Sequence, residues 1–419
     1  MFTIIFSYDV MEGNRHIMVK QREKKTLKRW FVEFSKRYYG VFIIMCYLLK
    51  LHQVCIGTPE SAISAYSFSG YLLNYSDGFG SRMLVGTILQ AVCGGRISKD
   101  DIFQANYTIL LLDCVIISFF LGKLIEGQNS KAHKIMVALL VVLFFALPST
   151  SIWCGYNLGR LDIYMLLSAL VSIWIISCKR LSTARYFLVS IVGIITVLIH
   201  QGYLFTYFVP VFIALLWDFM KSQYSRGRLI AYVGIVMLPM VLLFLYVQLF
   251  SQIHYDTIED IHNVCASRTD GVFFDFMLEM EYVWSNKQNL LGKGLGGFFE
   301  DWYLILLRCV SLVPPGAVLF LFWKRVFGLT RDKRKTVFVL MHLSFLVYVP
   351  LFLLTTDYGR WLTALLISAM ANIFLGIYHK DDVFLKVLDE GYALCKKYYY
   401  LVVMLLAYCV YLEFYGVVI

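Results

Sequence analysis

The chain has 419 residues, of which 59% are hydrophobic and 16% charged, with a formal net charge of +10. Ordinary soluble domains carry roughly 25% charged residues, and a soluble exterior has no use for so much apolar surface. Apolar residues arrive in blocks near the ~20-residue length that crosses a bilayer core, so the composition excludes a soluble globular protein and predicts an all-α polytopic membrane helix bundle with about eleven spans.

Residues 1–38 read as a basic cytoplasmic segment. The run Lys20–Lys28 has no small-residue cleavage site behind it, which argues against a removable signal peptide. Basic segments of this kind orient membrane proteins, so the positive charge needs no nucleic-acid partner. The ten cysteines are scattered without CxxC or metal spacing and read as small hydrophobes.

The remainder, 39–419, reads as one transmembrane domain. Its predicted spans are 39–56, 102–122, 135–150, 162–178, 186–201, 203–220, 229–250, 303–323, 336–355, 361–378 and 398–415. With the N-terminus inside, the cytoplasmic connections (123–134, 179–185, 221–228, 324–335 and 380–397) hold nineteen Lys and Arg, against five in the outer connections after residue 102. That asymmetry fixes the orientation and puts the C-terminus outside. It also bears on Met83–Cys93, an apolar segment whose counting as a span would turn all nineteen outward. The segment 81–93 is therefore expected to be a juxtamembrane or re-entrant half-helix, with Ser81 as its N-cap and Gly86, Gln90 and Gly94 on one face. Twelve spans is the alternative.

Two large outer loops follow, 57–101 and 251–302. The second carries nine acidic and three basic residues, and its Phe273–Trp284 stretch suggests an interfacial helix. Gly292-Lys-Gly-Leu-Gly-Gly297 has the glycines of a phosphate loop but no preceding strand, and reads as a flexible connection.

Polar strings gather at the outer ends of spans: Asp77-Gly-Phe-Gly-Ser-Arg82, Tyr156-Asn157-Leu-Gly-Arg160-Leu-Asp162, His200-Gln201-Gly-Tyr203 and Asp357-Tyr358-Gly-Arg360-Trp361. Three of them have a glycine one or two places before an arginine that opens an apolar helix. Arginine at membrane depth is costly and faces a cavity or a partner, and its fork clamps phosphate in two-pronged fashion. Helix N-termini add amide donors and a positive dipole end. Arg82, Arg160 and Arg360 together thus point to a pocket for a lipid-linked phosphate or diphosphate. The bland readings are Arg160–Asp162 and Asp357–Arg360 ion pairs, a snorkelling Arg82, and a satisfied bundle histidine at His200.

This layout, a long first outer loop with juxtamembrane helices and then many helices with polar residues at their outer ends, resembles the GT-C-type glycosyltransferases. It also looks like the bacterial O-antigen and capsular polysaccharide polymerases, and the Asp77–Arg82 and Asp357–Arg360 strings are similar to ones in such envelope proteins. The resemblance implies a multi-pass protein of the bacterial inner membrane that takes a sugar from a polyprenyl-phosphate donor at the outer face and hands it to a glycan acceptor. In that reading Asp77 is the first-choice base, and Asp357 and Asp162, each with an Arg nearby, come next. Arg82, Arg160, Arg360, Asp162, His200, Gln201, Tyr156, Asn157 and Tyr358 bind substrate or phosphate. The first loop lacks the paired acids of oligosaccharyltransferases, so the base and any divalent metal stay open. A transporter or flippase for an anionic lipid-linked glycan is the main alternative, and a membrane acyltransferase using His200 is a third.

Overall fold

The computed structural model describes residues 62–147, 158–222, 224–270, 312–332, 334–354 and 358–414, with a few more between 302 and 310. Among these residues the fold is helical apart from one two-stranded ribbon. The expected span 39–56, the Phe273–Trp284 helix and the glycine-rich 292–297 segment lie outside the described residues.

The first outer loop contains α1 (Ala65–Ser69), the strand β1 (Gly78–Phe79) and α2 (Met83–Val92). Helix α3 (Lys99–Glu126) begins at a capping box, with Ser98 accepting from the Asp101 amide and Asp101 reaching back. That reciprocal pair satisfies two of the donors a helix start leaves open. The chain continues through α4 (Lys131–Ala146), α5 (Asp162–Ser177), α6 (Ala184–Ile199), a 3-10 turn (Gln201–Phe205), α7 (Phe208–Ser222) and α8 (Arg226–Phe250). Strand β2 (Gln252–Ile253) and α9 (Ile258–Ser267) follow, then α10 (Val313–Leu329), α11 (Arg334–Leu343), a 3-10 turn (Ser344–Tyr348), α12 (Val349–Leu354), α13 (Tyr358–Tyr378), α14 (Asp382–Lys397) and α15 (Tyr399–Phe414).

Four stretches among the described residues are long and apolar enough to cross a membrane: Lys99–Glu126, Gly227–Phe250, Arg334–Phe352 and Gly359–Tyr378. They coincide with the expected spans 102–122, 229–250, 336–355 and 361–378. Asp162–Ser177 and Ala184–Ile199 are apolar but have 16 residues each, a rise of about 24 Å against a hydrocarbon core of ~30 Å. The count of about eleven spans therefore exceeds what helix length alone establishes.

Several expected boundaries need correction. The 203–220 span starts late, because 201–205 winds as a 3-10 turn and α7 begins at Phe208. Of the expected 303–323 span, most residues before 312 lie outside the described ones; from Val313 a helix runs to Leu329, beyond the expected end, and opens with prolines in its first turn, where the missing amide costs nothing. The 336–355 span is interrupted at Ser344–Tyr348. Pro350, just beyond, cannot donate to the ladder and crowds the carbonyl four residues back. Within the 380–397 connection lies a full helix, α14, capped by Asp381 and burying Val383, Phe384, Val387 and Leu388.

Contacts sort the connections into the same two groups that charge did. At one end, Lys221 donates to the His379 carbonyl at 2.6 Å, His133 meets Asp389 at 2.8 Å, and Arg334 pairs with Asp381 at 2.9 Å. At the other end the two large loops dock. Strands β1 and β2 pair antiparallel, Gly78 opposite Ile253, and Arg96 reaches Asp270 at 3.1 Å.

Helix α2 stays at that end. Arg268 holds Asp77 before it, and the Arg268 carbonyl accepts from the Ile97 amide after it, at 2.9 Å. A 10-residue helix rises only about 15 Å, and both its flanks are tied to one residue, so it does not traverse the bundle. Gly86 lets it lie close, since a Cβ there would come within 2.4 Å of the Leu73 carbonyl oxygen. The expected cap differs: Arg82, not Ser81, occupies the N-cap, in a left-handed conformation with φ 71° and no side-chain cap bond. Gly94 lies beyond the helix end, while Gly86 and Gln90 are buried on it.

Single cysteines at Ser76 and Asp100, in a cysteine-free background, should label from the same side of the membrane. Labelling from opposite sides would make α2 a span and reverse the docking of the two loops.

Candidate functional site

The N-terminal ends of α2, α5 and α13 converge, and each brings an arginine. The turn before α5 is pressed onto α1: the Tyr71 hydroxyl donates to the Gly159 carbonyl at 2.9 Å. Any side chain at Gly159 would collide there, because a Cβ would come 2.5 Å from the Ser67 Cβ. Arg160, next in sequence, lays its guanidinium over the Tyr66 ring, 4.3 Å from the centroid, a favourable cation–π geometry.

Arg360 stands in the first turn of α13 and is 3% exposed. Its Nε and Nη2 donate to Asp162 Oδ2 at 2.9 Å and 2.8 Å, across 198 positions of sequence. His200 caps the C-terminal end of α6. Its Nδ1 accepts from the Gly202 amide at 2.9 Å, so a neutral ring carries its proton on Nε2. That nitrogen lies 3.5 Å from Arg360 Nη2, and the two donors face the same space.

Arg82, Arg160, His200 and Arg360 line one small cleft, together with Tyr66, Ser67 and Tyr71. Guanidinium forks, an imidazole N–H and three helix N-termini make it a donor-rich site suited to a phosphate-type anion. Among the described residues no three His, Cys, Asp or Glu side chains gather as a metal site.

The structure thus brings together Arg82, Arg160, Arg360, Asp162 and His200 from four separate strings. Gln201 is 8% exposed at the start of the 3-10 turn, but it does not line the cleft, and its Oε1 has no hydrogen-bond partner among the described residues. Tyr358 opens α13 by its backbone. Tyr156, Asn157 and Asp357 lie outside the described residues. The expected partnerships change: Asp162 pairs with Arg360, not with the neighbouring Arg160.

Asp77 is the larger correction. It is fully buried and both oxygens are occupied. Oδ2 accepts from Arg268 Nη1 at 2.5 Å and the Asn74 amide at 2.9 Å. Oδ1 accepts from Arg268 Nη2 and the Tyr255 hydroxyl, each at 2.7 Å. Burial alone would raise this carboxyl, but the bonds from Arg268, Asn74 and Tyr255 outweigh it and hold it below the usual carboxylate range. A carboxylate with four donors and a depressed pKa is a poor base. Its role is to clasp the two loops. Because the folded pKa lies below the unfolded one, that clasp stabilises the protein above the ordinary carboxylate range and is lost only as pH falls through the folded value.

Arg268 and Asn106 escaped the sequence reading. Arg268 looked like one basic residue in an acidic loop. Asn106 is buried in α3, donating to the Tyr71 hydroxyl at 2.8 Å and accepting from Tyr164 at 2.6 Å; an amide inside an apolar block was the available signal. No family model, curated protein or solved structure matches the chain.

Asp77→Asn and Arg268→Ala should loosen the same clasp, raising protease cleavage within 251–270 and lowering activity by similar factors. Turnover abolished by Asp77→Asn but kept by Arg268→Ala would restore a base role to Asp77.

Proposed function

We propose that this chain is a multi-pass membrane glycosyltransferase or polysaccharide polymerase that takes its sugar from a polyprenyl-phosphate-linked donor at the extracytoplasmic face. The observation that carries the reading is the convergence of Arg82, Arg160, Arg360 and His200 on one cleft at the end of the bundle where the long loops dock. The bundle sits in the bacterial inner membrane with about eleven spans, its N-terminus cytoplasmic and its C-terminus outside, as the distribution of basic residues argues.

In the reaction, the acceptor hydroxyl attacks the anomeric carbon while the bond from that carbon to the phosphate oxygen breaks. The arginines stabilise the negative charge gathering on the departing phosphate. Asp162, joined through its Oδ2 to the cleft residue Arg360, is the carboxylate assigned to take the acceptor proton. One face of the Tyr66 ring at the cleft is covered by Arg160, which leaves its other face for a sugar ring.

Transport of an anionic lipid-linked glycan is the second reading, favoured by one observation. Asp113 lies mid-way along α3, 1% exposed, and both its oxygens are without a hydrogen-bond partner among the described residues, as charge-coupling residues of transporters often are.

Arg360→Lys keeps the charge but loses the fork. Sugar transfer in reconstituted membranes should fall more than tenfold, equivalent to over ~1.4 kcal/mol, at matched protein levels. Deletion in the source organism should remove a surface glycan and accumulate its lipid-linked precursor on the outer leaflet. Accumulation on the inner leaflet would favour the flippase, and full activity in Arg360→Lys would remove the arginine cleft from the reaction.

A further inference from the structure

The peptide that joins Gly159 to Arg160 is held by a line of hydrogen bonds that begins outside the arginine cleft. The Tyr164 hydroxyl donates to Asn106 Oδ1 at 2.6 Å. Asn106 Nδ2 donates to the Tyr71 hydroxyl at 2.8 Å, and that hydroxyl donates to the Gly159 carbonyl at 2.9 Å. The direction of the line is fixed by its members. A phenol has one proton to give, and because Tyr71 accepts from Asn106, its own proton goes to Gly159. The last acceptor is the carbonyl of the peptide whose amide nitrogen belongs to Arg160.

Asn106 lies about two turns into α3, in a long apolar helix, and is fully buried. An amide buried there is costly unless it is hydrogen-bonded, and residues of two other elements bond to its two ends. Asn106 does not line the cleft itself, whereas Tyr71, Gly159 and Arg160 do. Tyr71 is also held at its backbone. The Gln90 side chain on α2 donates to the Tyr71 carbonyl at 3.0 Å and to the Leu72 carbonyl at 2.9 Å. Anchored at both ends, Tyr71 is a strut between α2 and the Gly159 turn. Gly159 in turn is pressed against Ser67, so the turn has little room to rotate, and Arg160 leaves it with its guanidinium over Tyr66.

We propose that Asn106 is a positioning residue for the cleft: through Tyr71 it sets the Gly159–Arg160 peptide and so aims the Arg160 fork at a bound phosphate. This rests on the reading of the cleft as a phosphate site and adds what holds one of its arginines in place. Asparagine suits the task because its short side chain presents a donor and an acceptor at once. A leucine of similar size has neither. It would leave the Tyr71 hydroxyl without its donor and Tyr164 without its acceptor, and the peptide before Arg160 would be held less firmly. Arginine gains from such support, because a long side chain that is ordered beforehand loses less freedom when the ligand binds.

The test is equilibrium binding of inorganic diphosphate to the full chain in detergent, with thermal unfolding followed alongside. Arg160→Ala should weaken binding about tenfold. Asn106→Leu and Tyr71→Phe should each weaken it roughly fivefold. Added to Arg160→Ala, either should weaken it by less than about twofold more, because the arginine it positions is gone. Tyr71→Phe removes one oxygen and keeps the ring, so it carries the test if Asn106→Leu does not fold. Variants that melt earlier but bind diphosphate unchanged would reduce Asn106 to a packing role and overturn the proposal. Losses that persist in full on top of Arg160→Ala would overturn it as well. Undiminished binding in Arg160→Ala itself would overturn the phosphate reading of the cleft together with the positioning role.

Discussion

The pair between Arg360 and Asp162 is the constraint around which the upper end of the bundle is arranged. Each partner is nearly inaccessible, 3% and 6% exposed. Removing Arg360 would leave the Asp162 carboxylate buried without its guanidinium, at a cost of about 3–5 kcal/mol. The start of α13 must therefore meet the start of α5, although the two are almost two hundred residues apart. Once they meet, the His200 turn fits beside Arg360, and the Gly159 turn presents Arg160 to α1. An apolar replacement of such a pair is often no less stable than the pair itself. Stability alone therefore does not explain why charge is kept there.

A second ion pair does similar work one layer out. Asp77 and Arg268 join the two long loops, and the β1–β2 ribbon extends the same junction. Arg82 follows β1 by three residues and is held in the left-handed region, a conformation uncommon for residues other than glycine. The clasp thus sets the direction from which Arg82 enters the cleft. The two ion pairs differ in kind. Asp77 has every lone pair engaged, while Asp162 keeps one oxygen without a hydrogen bond among the described residues.

The sequence made the long apolar blocks 102–122, 229–250 and 361–378 legible, because hydropathy over twenty residues is a property of the segment alone. It marked 336–355 as well, which matches the candidate span Arg334–Phe352, but not the 3-10 turn at Ser344–Tyr348 within it, because hydropathy does not register the backbone. It also left 380–397 as a connection, although Val383, Phe384, Val387 and Leu388 recur at helical spacing. The arginines stood out because charge is scarce in apolar surroundings, and glycines before them marked close approaches such as Gly159 against Ser67. Partner choice was not legible. Asp162 lies two residues from Arg160 yet pairs with Arg360, and Asp77 looked free because Arg268 is distant in sequence. Such pairings are fixed by tertiary packing, which local spacing does not encode.

The central claim is that a phosphate binds where three helix starts bring Arg82, Arg160 and Arg360 together. Its most direct test is an experimental map of the protein in a lipid nanodisc with a long-chain polyprenyl diphosphate sugar bound. The account requires the phosphorus atoms to lie within hydrogen-bond reach of at least two of these guanidinium groups. Density for the phosphates at any other site, with the arginine cleft left empty, would contradict it.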